Sequence, residues 1–71
     1  MPIIDVTLAE GRTPAQLRTL VHKLTEAAVE AVDAPRDSVR VILREVPLTH
    51  FAAADVTIAE RRGAPDPRTT G

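Results

Sequence analysis

The sequence predicts an α+β fold: a single βαβ unit with two parallel strands, one long helix and a short C-terminal β-ribbon, assembling into an oligomer. Three observations predict it. Alternating residues mark strands at Ile3–Leu8 and at Val39–Val46, and an apolar stripe at three- and four-residue spacing marks a helix between them. The third is a face that one helix leaves bare. A strand–helix–strand connection of this length makes the strands parallel and the crossover right-handed. At 71 residues the chain is one small domain, expected over 1–62 with a flexible tail over 63–71.

In the first strand Ile4, Val6 and Leu8 alternate with Ile3, Asp5 and Thr7, and Pro2 at its start interrupts no ladder. Gly11 supplies the freedom of a turn. Thr13-Pro14-Ala15-Gln16 is a helix start: Thr13 caps, Pro14 suits the first helical position, and Gln16 completes a capping box. Leu17, Leu20, Val21, Leu24, Ala28 and Ala31 then form the apolar stripe, and Asp33-Ala34-Pro35 stops the helix. Pro14 to Val32 gives about 28 Å at helical rise. After the turn Pro35–Ser38, the second strand sets Val39, Val41, Leu43 and Glu45 against Arg40, Ile42, Arg44 and Val46. Pro47–His50 ends it, Phe51–Ala59 reads as a turn and small ribbon, and no core-forming residue follows Arg61.

One helix covers one face of a two-stranded sheet, and two parallel strands alone are marginal. Ile3, Ile42 and Val46 fall on the other face. Oligomerisation follows from that arithmetic.

Composition excludes several classes. The chain has no cysteine, so disulfides and thiolate metal sites are excluded, and two histidines without metal-ligand spacing argue against zinc. Nine basic residues offset ten acidic ones without forming a stripe, and Phe51 is the only aromatic, which argues against nucleic acid. No apolar run reaches the ~20 residues of a membrane span, and the N-terminus lacks a signal-peptide layout. A soluble cytoplasmic protein is expected.

Four residues draw attention as chemistry. If Met1 is removed, Pro2 becomes a secondary amine able to hold or release a proton, which no proline inside the chain can do. Arg12 follows the first strand, Arg40 opens the second, and Phe51 comes after it. Parallel strands start at the same end, so Pro2 and Arg40 belong together; Arg12 serves a neighbouring copy or reaches back. Singly, each has a plainer reading: Arg40 a surface ion pair, Arg12 a solvated turn residue, Phe51 core or interface. His50 reads as a strand-end hydrogen-bonding residue and His22 as a solvated helix residue.

Together these residues resemble the 4-oxalocrotonate tautomerase family over nearly the whole chain. The carriers are Met1-Pro2-Ile3-Ile4, Glu10-Gly11-Arg12-Thr13, Asp33-Ala34-Pro35, Ser38-Val39-Arg40-Val41-Ile42 and His50-Phe51, with matching spacing and no insertion. The resemblance implies a cofactor-free isomerase, with no metal, acting on a small 2-hydroxy or 2-oxo unsaturated acid. Pro2 is then the general base. An unperturbed α-amine titrates at about 8 and a secondary amine somewhat higher; neighbouring guanidinium charge and an apolar site lower that toward neutrality. The Arg12 counterpart binds a substrate carboxylate. The Arg40 counterpart, from another subunit, holds the second carboxylate or carbonyl and polarises the developing dienolate. Phe51 contributes an apolar wall.

The resemblance further implies a hexamer, a trimer of dimers, and a place in the catabolism of aromatic compounds. Whether the assembly holds one kind of chain or two stays open. The chain departs from the family pattern after Phe51, where Ala52-Ala53-Ala54-Asp55 replaces the usual glycine-rich turn; this bears on the substrate more than the fold. Two alternatives stand beside the isomerase: a hydratase-type haloacrylate dehalogenase or decarboxylase on the same scaffold, for which Asp55 is the one acid shortly after Phe51, and a non-catalytic assembly or binding subunit.

Overall fold

The computed structural model describes residues 2–63. Strand β1 (Ile3–Ala9) leads through the Gly11 turn to helix α1 (Pro14–Val32), and a 3₁₀ turn at Arg36–Ser38 leads to strand β2 (Arg40–Val46). β1 and β2 pair in parallel, with Ile3 beside Arg40 and Ala9 beside Val46. The ladder is extended at both ends, by Arg40 N donating to Pro2 O and Glu10 N donating to Val46 O, each 3.0 Å. The expected strand start at Val39 shifts by one, because the Val39 amide donates to Arg36 O and belongs to the turn.

Helix α1 has the bounds and the cap that its sequence dictates. Gln16 N donates to Thr13 Oγ1 at 3.1 Å, and Thr13 N donates to Gln16 Oε1 at 2.9 Å. At the other end Asp33 takes a left-handed conformation (φ 55°), which the short polar side chain tolerates. Leu17, Leu20, Val21, Leu24 and Ala28 lie half-buried over the sheet, joined by Thr25 and Val29. Ala31 is exposed, contrary to the expected stripe: past Ala28 the inward face has rotated onto Val29, leaving the final turn outside the sheet. The turn after α1 is tied back by an Arg36–Glu26 ion pair. That hydrogen bond holds the Glu26 carboxyl below its ordinary range, so its small contribution is complete above that range and fades as pH falls through the lowered value.

The second half is a ribbon and a helix. Strands β3 (Ala52–Ala53) and β4 (Val56–Thr57) pair antiparallel, and helix α2 (Ile58–Gly63) follows directly. α2 is absent from the sequence-based expectation, which ended regular structure before Arg61. Its cause is a second capping box: Glu60 N donates to Thr57 Oγ1 at 3.1 Å and Thr57 N donates to Glu60 Oε1 at 2.8 Å. The rest of the expected tail, 64–71, lies outside the described residues.

The core is thin. Among the described residues Ala34 is the one buried apolar side chain, and no large side chain is fully buried. The face of the sheet away from α1 presents Ile3 at 64% and Ile42 at 40% exposure. A bidentate Arg44–Asp5 pair, 3.0 and 3.1 Å, lies on that same face.

The β3–β4 turn carries Ala54 and Asp55 at φ 51° and 68°. Two positive-φ residues between paired strands make the type I′ geometry that Asn-Gly adopts without strain. Replacing Ala54-Asp55 by Asn-Gly is expected to stabilise the fold by about 1 kcal/mol, the scale of one relieved left-handed residue, read as a rise in the denaturation midpoint at unchanged slope. Thr13→Ala is expected to do the reverse, lowering stability by about 1 kcal/mol through loss of the cap, measured by the same titration.

Candidate functional site

Pro2 is fixed by its own carbonyl. The first ladder bond, from the Arg40 amide, holds the residue at the open end of the sheet, where it is half-buried. The expectation that Pro2 and Arg40 share one end of the sheet therefore holds for their backbones. Their side chains diverge: register sets Arg40 beside Ile3, and the pleat alternates Pro2 onto the opposite face. The Arg40 guanidinium turns onto its own preceding loop, Nη1 donating to Asp37 O at 2.6 Å. That loop is internally braced, with Ser38 Oγ and Ser38 N both donating to Pro35 O at 2.8 and 2.9 Å. Arg40 makes no ion pair among the described residues.

Arg12 and Phe51 lie at the other end. The seven residues of β1 separate Pro2 from the Gly11 turn, which at strand rise is about 23 Å, too far for Arg12 to reach back within one chain. Gly11, at φ 124°, adopts the backbone conformation that sends the chain from β1 into Arg12 and the helix cap. Phe51 follows β2 through the 3₁₀ turn Leu48–His50 and is 37% exposed. Its carbonyl accepts from Ile58 N at 2.9 Å, tying the residue to the start of α2. His50 is exposed and its amide closes the turn onto Pro47 O; His22 is exposed on α1; Asp55 is exposed in the ribbon turn.

Beside Arg12 lies a groove of about 340 Å³ between the end of β1 and the first turns of α1. Leu8, Leu17 and Leu20 give it an apolar wall, and Arg12, Gln16 and Lys23 give it polar groups. Lys23 and Gln16 were not singled out by sequence. The available signal was that they share a helix face, seven residues apart, behind the Arg12 loop. The candidate groups are thus split: one end of the sheet has Pro2, its carbonyl bonded by the Arg40 amide, and the other an open apolar groove beside Arg12 and Lys23, which make no ion pair among the described residues. Among the described residues no group of three or more His, Cys, Asp or Glu could hold a metal ion, and no helix is long and apolar enough to cross a membrane.

Known proteins resemble this chain over most of its length. A family model described as tautomerase enzyme matches residues 2–61. A probable tautomerase of Ralstonia nicotianae is 54% identical over 56 residues, 79% of this chain and 80% of the relative. A 2-hydroxymuconate tautomerase of Stutzerimonas stutzeri is 45% identical over 51 residues, 72% of this chain and 81% of the relative. Among solved structures, a heterohexamer 4-oxalocrotonate tautomerase from Chloroflexus aurantiacus superposes with TM-score 0.83 at 39% identity, covering 87% of this chain and all of that one (100%).

Proposed function

The chain belongs to the tautomerase family and is an enzyme, and from that premise we propose that it interconverts keto and enol forms of a small unsaturated 2-hydroxy or 2-oxo acid, with Pro2 as the base. The observation that carries this reading is the Arg40 N–Pro2 O bond. It pins the proline at the strand end, so that loss of Met1 leaves a secondary amine held in one place. Such an amine takes a proton from one carbon and returns it to another without any cofactor. The relative that acts on 2-hydroxymuconate supports a substrate of that class.

Arg12 holds a substrate carboxylate by paired N–H donors, Arg40 draws the developing negative charge, and Phe51 closes the apolar side. These groups meet only between copies. Running two copies antiparallel about a two-fold axis brings Pro2 of one chain to the Arg12 and Phe51 end of the other, and does so twice. Arg40, on the bare face of the sheet, serves a site in a further copy. The same assembly covers Ile3 and Ile42. A heterohexameric neighbour supports an oligomer of this kind; here a hexamer of identical chains in the cytoplasm is proposed.

Intact mass should show Met1 absent, and Pro2→Ala should reduce ketonisation of 2-hydroxymuconate by on the order of 10²-fold or more; full turnover in that variant would remove Pro2 from the mechanism. Pro2→Ala and Arg12→Ala chains, each inactive alone, should recover about a quarter of wild-type sites when unfolded and refolded together, as random pairing across a two-fold predicts. No recovery in the mixture would mean that Pro2 and Arg12 are not shared between chains.

A further inference from the structure

Arg40 takes its placement from the turn that precedes its strand. We infer that Glu26 and Arg36 are positioning residues for Arg40: their ion pair holds the Arg36–Ser38 turn against α1, so that the turn's carbonyls set the guanidinium and the strand start. This rests on the reading of Arg40 as the group that draws developing charge, and it names what keeps that group in place.

The bonds from helix to Arg40 form an unbroken series. On α1 the Glu26 carboxylate accepts from Arg36 Nη1. Arg36 O accepts from Val39 N at 3.2 Å, and the next carbonyl, Asp37 O, accepts from Arg40 Nη1 at 2.6 Å. The Arg40 amide then donates to Pro2 O at 3.0 Å. One short turn thus stands between the helix and two parts of Arg40, its guanidinium and the amide that bonds Pro2.

The braces inside the turn fix its shape and not its place. Ser38 N and Ser38 Oγ both donate to Pro35 O, and Val39 N donates to Arg36 O, all within five residues. Buried Ala34 seats the approach to the turn. Beyond it, the Arg36–Glu26 contact is the side-chain hydrogen bond that joins the turn to α1 among the described residues. Left-handed Asp33 sends the chain back toward the helix and brings Arg36 within reach of Glu26. Arg36 pairs with this acid, ten residues back, and not with Asp33 or Asp37 beside it in sequence. His22 and Lys23 also bear on Glu26 from one turn earlier, yet the hydrogen bond goes to Arg36. The side chains of the pair are 59% and 31% exposed, so it adds little to global stability. Placement is the more sensitive quantity, because an ångström of misplacement can cost as much as about 10²-fold in rate.

The test compares Glu26→Gln, Arg36→Gln and the double variant with wild type in two readouts. Amide hydrogen exchange resolved by residue reads the strand start without turnover. Exchange at Val39 and Arg40 should quicken about fivefold, the upper end for a solvent-exposed pair. Glu10, whose amide bonds Val46 O at the other end of the same ladder, should keep its rate. In steady-state kinetics on 2-hydroxymuconate, kcat should fall about fivefold at unchanged KM, well inside what misplacement can cost. The double variant should lose no more than either single variant, since all three remove one contact. Unaltered exchange, equal quickening at Glu10, or additive losses would overturn the assignment, as would an unchanged kcat in an active enzyme. Should wild type not turn over 2-hydroxymuconate, the proposed activity fails, and exchange alone decides whether the pair positions Arg40.

Discussion

A two-stranded sheet has two faces, and this chain supplies one helix. Every other feature follows from that shortfall. α1 covers the side bearing Ile4, Val6 and Leu8, and even there the side chains are only half-buried. Burial stabilises by roughly 25 cal/mol per Å² of apolar surface, so with Ala34 the one buried apolar side chain among the described residues, the interior contributes little. Ile3 and Ile42 on the bare face are the complement of that deficit. A second layer has to come from outside the chain, and further copies are the partner that closed symmetry makes self-complementary.

The parallel connection imposes a second separation. Both strands of a βαβ unit begin at one end and finish at the other, so groups at strand starts and groups at strand finishes are kept a strand length apart. Pro2 and Arg40 are start groups; Arg12 and Phe51 are finish groups. No adjustment of rotamers closes that distance. Antiparallel pairing of two copies does, because it sets the start of one unit against the finish of the next. Under the proposed assembly, incomplete burial and divided chemistry would have the same remedy, because one act of association would supply both a second layer and a complete site.

Much of this was legible in the sequence. Thr13, Pro14 and Gln16 give the helix start because their capping geometry is local, and Asp33-Ala34-Pro35 gives its end for the same reason. The parallel pairing of the strands follows from crossover length. What escaped was decided by less conspicuous local chemistry or by three-dimensional context. Thr57 and Glu60 form a capping box as complete as that of Thr13 and Gln16, yet no apolar stripe follows them, and the residues of α2 read as the end of the ribbon and the start of the tail. Ala31 satisfied the helical spacing but lies beyond the sheet it was expected to cover. The Arg12 groove needed the packing angle of α1 on β1, which periodicity does not contain.

The cations sort themselves by what they are bound to, and the sorting separates structure from chemistry. Arg36 clips the turn to the helix through Glu26, and Arg44 spans the strands to Asp5, whose carboxylate holds the guanidinium pKa above its ordinary value. Both are spent on the fold. Arg40 has only a backbone carbonyl, a neutral acceptor that a carboxylate or a developing enolate outcompetes. Arg12 and Lys23 share a groove and make no ion pair among the described residues. Positive charge left without a counter-charge next to apolar walls is exposed here and held by water, so it adds little to the fold and stays available to an anion. Its retention at the finish of β1, opposite the end that holds Pro2, is the arrangement expected where a small acid completes the electrostatics.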